Sequence, residues 1–131
     1  MTLSENEAPD LRGVNFEAGY IAAIDKPLGW TSTDVVRKIK FALHRLGYRR
    51  IKVGHAGTLD PAATGLMLVG VGAATRLSEY LTGHDKGYDA RIVFGVSTDT
   101  DDAQGRVLAS ADDAELACVM RTADVQSVLD E

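Results

Sequence analysis

The run from Gly54 to Gly72, G-H-A-G-T-L-D-P-A-A-T-G-L-M-L-V-G-V-G, constrains this chain more than any other stretch. Near its end Leu66-Met67-Leu68-Val69 is unbroken and apolar, a length and composition that suit a buried strand better than a helix. The residues before it read as a loop. Gly54, Gly57 and Gly65 permit tight turning or close approach of another molecule, because they carry no Cβ. Pro61 biases Asp60 away from helical backbone angles. The pattern therefore predicts a stiffened loop that presents one imidazole (His55), one hydroxyl (Thr58) and one carboxylate (Asp60), anchored at its far end by a core strand. Loops held on a rigid scaffold are where reactive groups commonly sit.

Upstream, Gly19 to Asp25 has the short apolar character of a strand, and Lys26-Pro27-Leu28-Gly29-Trp30-Thr31-Ser32 reads as a turn. By residue type alone, Lys26 is a solvated lysine ahead of a turn proline. Thr31 or Ser32 can cap a following helix, with Asp34 favourable in its first turn. Val35, Val36, Ile39, Ala42, Leu43 and Leu46 recur at spacings of three and four and form its apolar face. Arg37, Lys38, Lys40, His44 and Arg45 fall opposite, and Gly47 stops the helix. Downstream, Ala73 to Leu81 reads as a short helix closed by Thr82-Gly83. Tyr88, Ala90, Ile92 and Phe94 share one side of an alternating strand. Cys118-Val119-Met120 reads as a further strand and Thr122 to Glu131 as a helix start. Residues 1–18 read as a flexible leader, with Phe16 the first to dock, and residues 19–131 as the folded part. The fold class is α+β, a mixed, largely antiparallel sheet with flanking helices.

A chain of 131 residues is long enough for one real core, and 45% hydrophobic with 25% charged residues is ordinary for a globular domain. No apolar run approaches a membrane span, and the acidic, polar start lacks a signal pattern. A single cysteine, Cys118, cannot form an internal disulfide, so a cytoplasmic location is expected. The net charge of −5 argues against nucleic acid, but the distribution argues for it. Residues 1–52 hold nine Lys/Arg against six Asp/Glu, and seven of the chain's fourteen basic residues lie between Arg37 and Lys52. Phosphate binding depends on the local field. A charged helix face is commonly just solvated. Here the basic strip continues through Arg49, Arg50 and Lys52 directly into the Asp60 loop, which favours contact with a polyanion.

The stretch Gly54-His55-Ala56-Gly57-Thr58-Leu59-Asp60-Pro61, with Ala63-Thr64-Gly65 and Gly72-Ala73-Ala74-Thr75, resembles the signature of the bacterial tRNA pseudouridine-55 synthases (TruB-type). Two more segments agree: Lys26 to Ser32 resembles the family's K-P-x-G-x-T-S, and Lys86-x-Tyr88 followed by Phe94 to Gly105 resembles its K-x-Y and F-G-V-S-T-D-T-D-D-A-Q-G. The resemblance covers roughly residues 19–130 and corresponds to the N-terminal part of such an enzyme, whose members are typically about twice this length. It implies isomerisation of a uridine in the tRNA T-loop, with Asp60 as nucleophile and Tyr88 stacking on the target base. It also implies that His55 contacts RNA and that Lys26, Gly57, Thr58 and Pro61 support the loop. The arginine that pairs with the nucleophile comes from later segments in that family. Two functions are therefore weighed: a tRNA uridine isomerase, and a catalytically weak or inactive RNA-binding domain of the same family. An uncovered sheet edge or helix face is expected, and with it self-association.

Other chemistries fail on particulars. The glycines form neither G-x-x-x-x-G-K-[ST] nor G-x-G-x-x-G, and no serine stands in G-x-S-x-G. His44, His55 and His84 are too widely spaced for a zinc site. Asp99, Asp101 and Asp102 lack the calcium-loop register, so a polar turn with aspartates capping backbone amides is expected there. No metal and no cofactor are expected.

Overall fold

The computed structural model describes residues 11–122. They fall into two compact units, residues 11–86 and residues 87–122.

The first unit is built on a three-stranded antiparallel sheet. Strand β1 (Tyr20–Lys26) pairs with β3 (Gly65–Val71), and β3 pairs on its other side with the short β2 (Val53–His55). The apolar run predicted as a strand is thus the central one. Alternation sends Met67, Val69 and Val71 to one face, where Ile24, Ala22 and Tyr20 stand opposite them on β1. Helix α1 (Ser32–Arg45) covers that face with Val35 and Leu43, supported by Val36 and Ile39. Phe16 completes the core, edge-on to Tyr20 at 5.5 Å and to Tyr48 at 5.4 Å between ring centroids. Its docking agrees with the sequence reading.

Thr31 starts α1. Its hydroxyl accepts from the Asp34 N–H, and the Asp34 carboxylate accepts from the Thr31 N–H, a reciprocal capping box. The apolar face of α1 is narrower than predicted. Ala42 is exposed and Leu46, at the C-cap, is 65% exposed, because Leu43 alone among the late apolar residues faces the sheet. After β3 a 3-10 turn (Gly72–Leu77) leads into α2 (Ser78–Thr82), close to the predicted short helix.

The second unit contains a hairpin of β4 (Val96–Thr98) and β5 (Val107–Ser110), followed by helix α3 (Asp113–Thr122). The hairpin turn is the expected polar one. The Asp102 carboxylate accepts from the Gln104 N–H at 2.8 Å and the Gly105 N–H at 3.0 Å, and Asp99 accepts from the Arg106 N–H at 2.8 Å.

Two expectations fail here. Residues 88–94 form no strand: Tyr88, Ile92, Val93 and Phe94 are all exposed, and alternation makes a strand only where a partner ladder and a face to cover are present. Pairing begins only at Val96. Cys118-Val119-Met120 lies within α3 rather than in a strand. A three-residue apolar run does not distinguish the two. The capping box decides it, with Asp112 accepting from the Ala114 and Glu115 N–H groups while Glu115 accepts from the Asp112 N–H. The helix start predicted from Thr122 onward lies outside the described residues. The architecture is α+β with antiparallel sheets. Among the described residues no helix is long and apolar enough to cross a membrane.

Candidate functional site

The Asp60 loop joins β2 to β3, two neighbouring antiparallel strands, so its two ends are fixed by the same ladder. Gly57, at φ 105°, makes the backbone reversal after His55 and Ala56. Beyond it, three contacts pin the loop. The buried Ser32 hydroxyl accepts from the Leu59 N–H at 3.0 Å and donates to the Leu59 carbonyl at 3.2 Å. The Gly29 N–H donates to the Pro61 carbonyl at 2.8 Å. The Ala63 N–H donates to the Asp60 carbonyl at 3.0 Å, closing a turn with proline in its second position, where a fixed φ is favourable. Asp60 is therefore held through its backbone on both sides, and its carboxylate is exposed, with no hydrogen bond or ion pair among the described residues.

Lys26 is fully buried, contrary to its reading by residue type. Its ammonium donates to the Trp30 carbonyl at 2.7 Å and the Pro27 carbonyl at 3.1 Å. Packing at the end of β1 turns this side chain inward, with Tyr20, Ala22 and Ile24, and two carbonyls of the next turn replace its water. Lys26 thereby fixes the Pro27–Trp30 turn, which in turn holds Pro61 through Gly29. Thr58 is exposed beside Leu59. His55 ends β2, half-buried opposite Val69, and its Nδ1 is buried without a hydrogen-bond partner.

The basic residues form a continuous surface. Arg37, Lys40, His44, Arg49 and Arg50 line a depression of about 490 Å³ beside Tyr48, and Lys52 is exposed just before β2. Asp34 is the one acid within α1. Hydrogen bonds from the Thr31 hydroxyl and N–H hold its carboxyl below the ordinary range, with Arg37, 3.1 Å away, adding to the effect.

The first unit brings Lys26, Gly57, Thr58, Asp60 and Pro61 to the Gly65 end of the sheet and its adjoining loops, with His55 on β2 opposite Val69, whereas Arg49, Arg50 and Lys52 precede β2 at the Val71 end, where the Gly72 N–H donates to the Lys52 carbonyl at 2.8 Å. Tyr88 belongs to the second unit, where it is 70% exposed. Sequence reasoning missed Ser32 as a loop anchor. Beside Thr31 it looked like a second capping candidate, and no local pattern signals a contact 27 positions away.

A family model described as TruB family pseudouridylate synthase (N terminal domain) matches residues 44–131. The chain is 47% identical to the tRNA pseudouridine synthase B of Leifsonia xyli, over 80% of this chain and 33% of that protein. It is 54% identical to that of Thermobifida fusca over 70% and 29%, and 46% identical to that of Symbiobacterium thermophilum over 88% and 35%. The chain belongs to the TruB family of pseudouridylate synthases, and the match is to the N-terminal domain. It spans about a third of the length of the curated relatives it matches.

Proposed function

We propose that this chain carries the catalytic loop and part of the RNA surface of an enzyme that converts a uridine of the tRNA T-loop, at position 55, into pseudouridine. The observation that supports this most is the exposed Asp60 carboxylate, without a partner among the described residues, on a loop pinned at Leu59, Asp60 and Pro61. The reaction is an isomerisation. The bond from the sugar's anomeric carbon to N1 of uracil breaks, the base turns over, and a bond from the same carbon to C5 forms, while the C5 proton is released and N1 ends protonated. Atoms and electrons balance with no redox partner, metal or cofactor. Asp60 serves as the nucleophile that carries the fragment between the two bonds.

A uridine must leave its stack to reach such a loop, at a cost of a few kcal/mol. In this proposal Tyr88 recovers about 1–3 kcal/mol of that by stacking on the base. His55, with its unpartnered Nδ1, holds the displaced RNA loop, and Arg49, Arg50 and Lys52 take phosphates of the T-arm. Lys26, Gly57, Thr58 and Pro61 keep the loop in shape. The cytoplasm, where tRNA is available and the lone Cys118 stays reduced, is the setting this work requires.

A second reading is RNA binding with weak turnover, favoured by the lack of a cation beside Asp60 among the described residues. Release of tritium from tRNA labelled at uracil C5 separates the two. Release by the unaltered chain, abolished in Asp60→Asn with tRNA binding retained, supports the isomerase. Binding with no release from either protein supports the second reading.

The outer edge of β1 has no paired strand among the described residues, and the exposed Ile21 of β1 and Leu66 of β3, 69% exposed, share the open face of the sheet beside it. Self-association through this edge is part of the proposal. Sedimentation is expected to show mass rising with concentration, and a constant monomer mass would count against it.

A further inference from the structure

Phe41 is 60% exposed on the side of α1 turned away from the core. Its helical neighbours at three and four residues are Lys38, Arg37, His44 and Arg45, so three cations and an imidazole frame the ring. Across a shallow groove of about 490 Å³ stands Trp30, and Gly29, Asp34, Arg37 and Lys38 complete the lining. Asp34 does not oppose an anion here, since its carboxylate is occupied by Thr31 and paired with Arg37. Lys38 and Lys40 have no partner among the described residues. One end of the groove is joined to the Asp60 loop: Gly29, which lines it, donates to the Pro61 carbonyl at 2.8 Å. Trp30 is fixed there by the buried Lys26 ammonium on its carbonyl.

Two exposed aromatic faces set among cations match the chemistry of single-stranded RNA, whose bases stack and whose phosphates need positive charge. We infer that the Trp30–Phe41 groove is a second nucleotide site, which holds an unpaired base of the RNA strand flanking the uridine at Asp60, with that nucleotide's phosphate on Lys38. This rests on the reading of the chain as acting on RNA. It assigns α1 a share in positioning the strand, separate from the phosphate contacts of Arg49 and Arg50.

Trp30 is the chain's only tryptophan, so its emission reports the groove directly. The full chain is titrated with a uridine-looped RNA hairpin, following Trp30 fluorescence and, independently, the anisotropy of labelled RNA. Saturable quenching of Trp30 is expected, in step with anisotropy. Phe41→Ala should weaken binding about tenfold, the loss of one stacking contact, and Phe41→Tyr should restore it. Because Phe41 carries no charge, the salt dependence of binding should keep its slope in Phe41→Ala. Unchanged affinity in Phe41→Ala, or anisotropy that saturates with no change in Trp30 emission, overturns the groove. Absence of any RNA binding overturns it together with the proposed function. Quenching that persists while Asp60→Asn and the unaltered chain both fail to release tritium keeps the groove and removes only the isomerase.

Discussion

Ser32 uses one oxygen twice, as acceptor and donor, on the two peptide groups of Leu59, the residue before Asp60. Removing that oxygen leaves the partly buried Leu59 N–H and carbonyl without this partner. Ser32→Ala is expected to cost about 1–3 kcal/mol of stability, measurable as a lowered urea midpoint with unchanged slope. It should also reduce turnover more than tRNA affinity, since it loosens the loop of the proposed nucleophile and leaves the basic surface untouched. Equal losses in both would show that Ser32 merely holds the unit together. The loop that presents Asp60 and His55, and the basic strip that precedes it, were legible in the sequence because residue type and local glycine and proline spacing declare them. Ser32 was not, and Lys26 was read as a loop support only through the family resemblance, its residue type pointing to solvent. Both roles arise from burial, which depends on contacts that no short window of sequence records.

At the level of elements, the start of α1 illustrates which signals survive folding. Thr31 and Asp34 lie three apart in sequence, and that spacing alone brings their side chains to each other's backbone N–H groups. Because hydrogen bonds from Thr31 lower the Asp34 pKa in the folded chain, its contribution to stability is present above the unfolded value of 3.8. It is lost as the pH falls through the depressed native value. The difference in thermal midpoint between the unaltered chain and Asp34→Asn should therefore be constant well above 3.8 and close as the pH falls through the depressed native value. A difference that stays open in acid would assign the effect to shape rather than charge. β3 and α1 could be read for the same reason, being long and strongly patterned. The segment from Tyr88 to Phe94 could not, because its alternation had no ladder to join, and α3 was missed although its Asp112 and Glu115 carry the same capping spacing as α1.

For the molecule as a whole, the decisive quantity is how unevenly charge is distributed. The chain is acidic in total, yet Arg37, Lys40, His44, Arg49 and Arg50 share one depression. Replacing Arg49 and Arg50 together by alanine should weaken tRNA association and flatten the dependence of log K on log salt by about two phosphate contacts. An unchanged slope would detach the strip from RNA binding. The sequence exposed this asymmetry through composition, but the shape that gathers it required the bend at Gly47, where φ reaches 97°. Lys26 adds a consequence of another kind. The four other lysines of the chain meet solvent, whereas the amine of Lys26 is sealed under its own turn. A reagent that acylates amines would mark those four at once and reach the fifth only during transient opening of the surrounding structure, so the lag before the last acyl group attaches would time how often the loop comes undone.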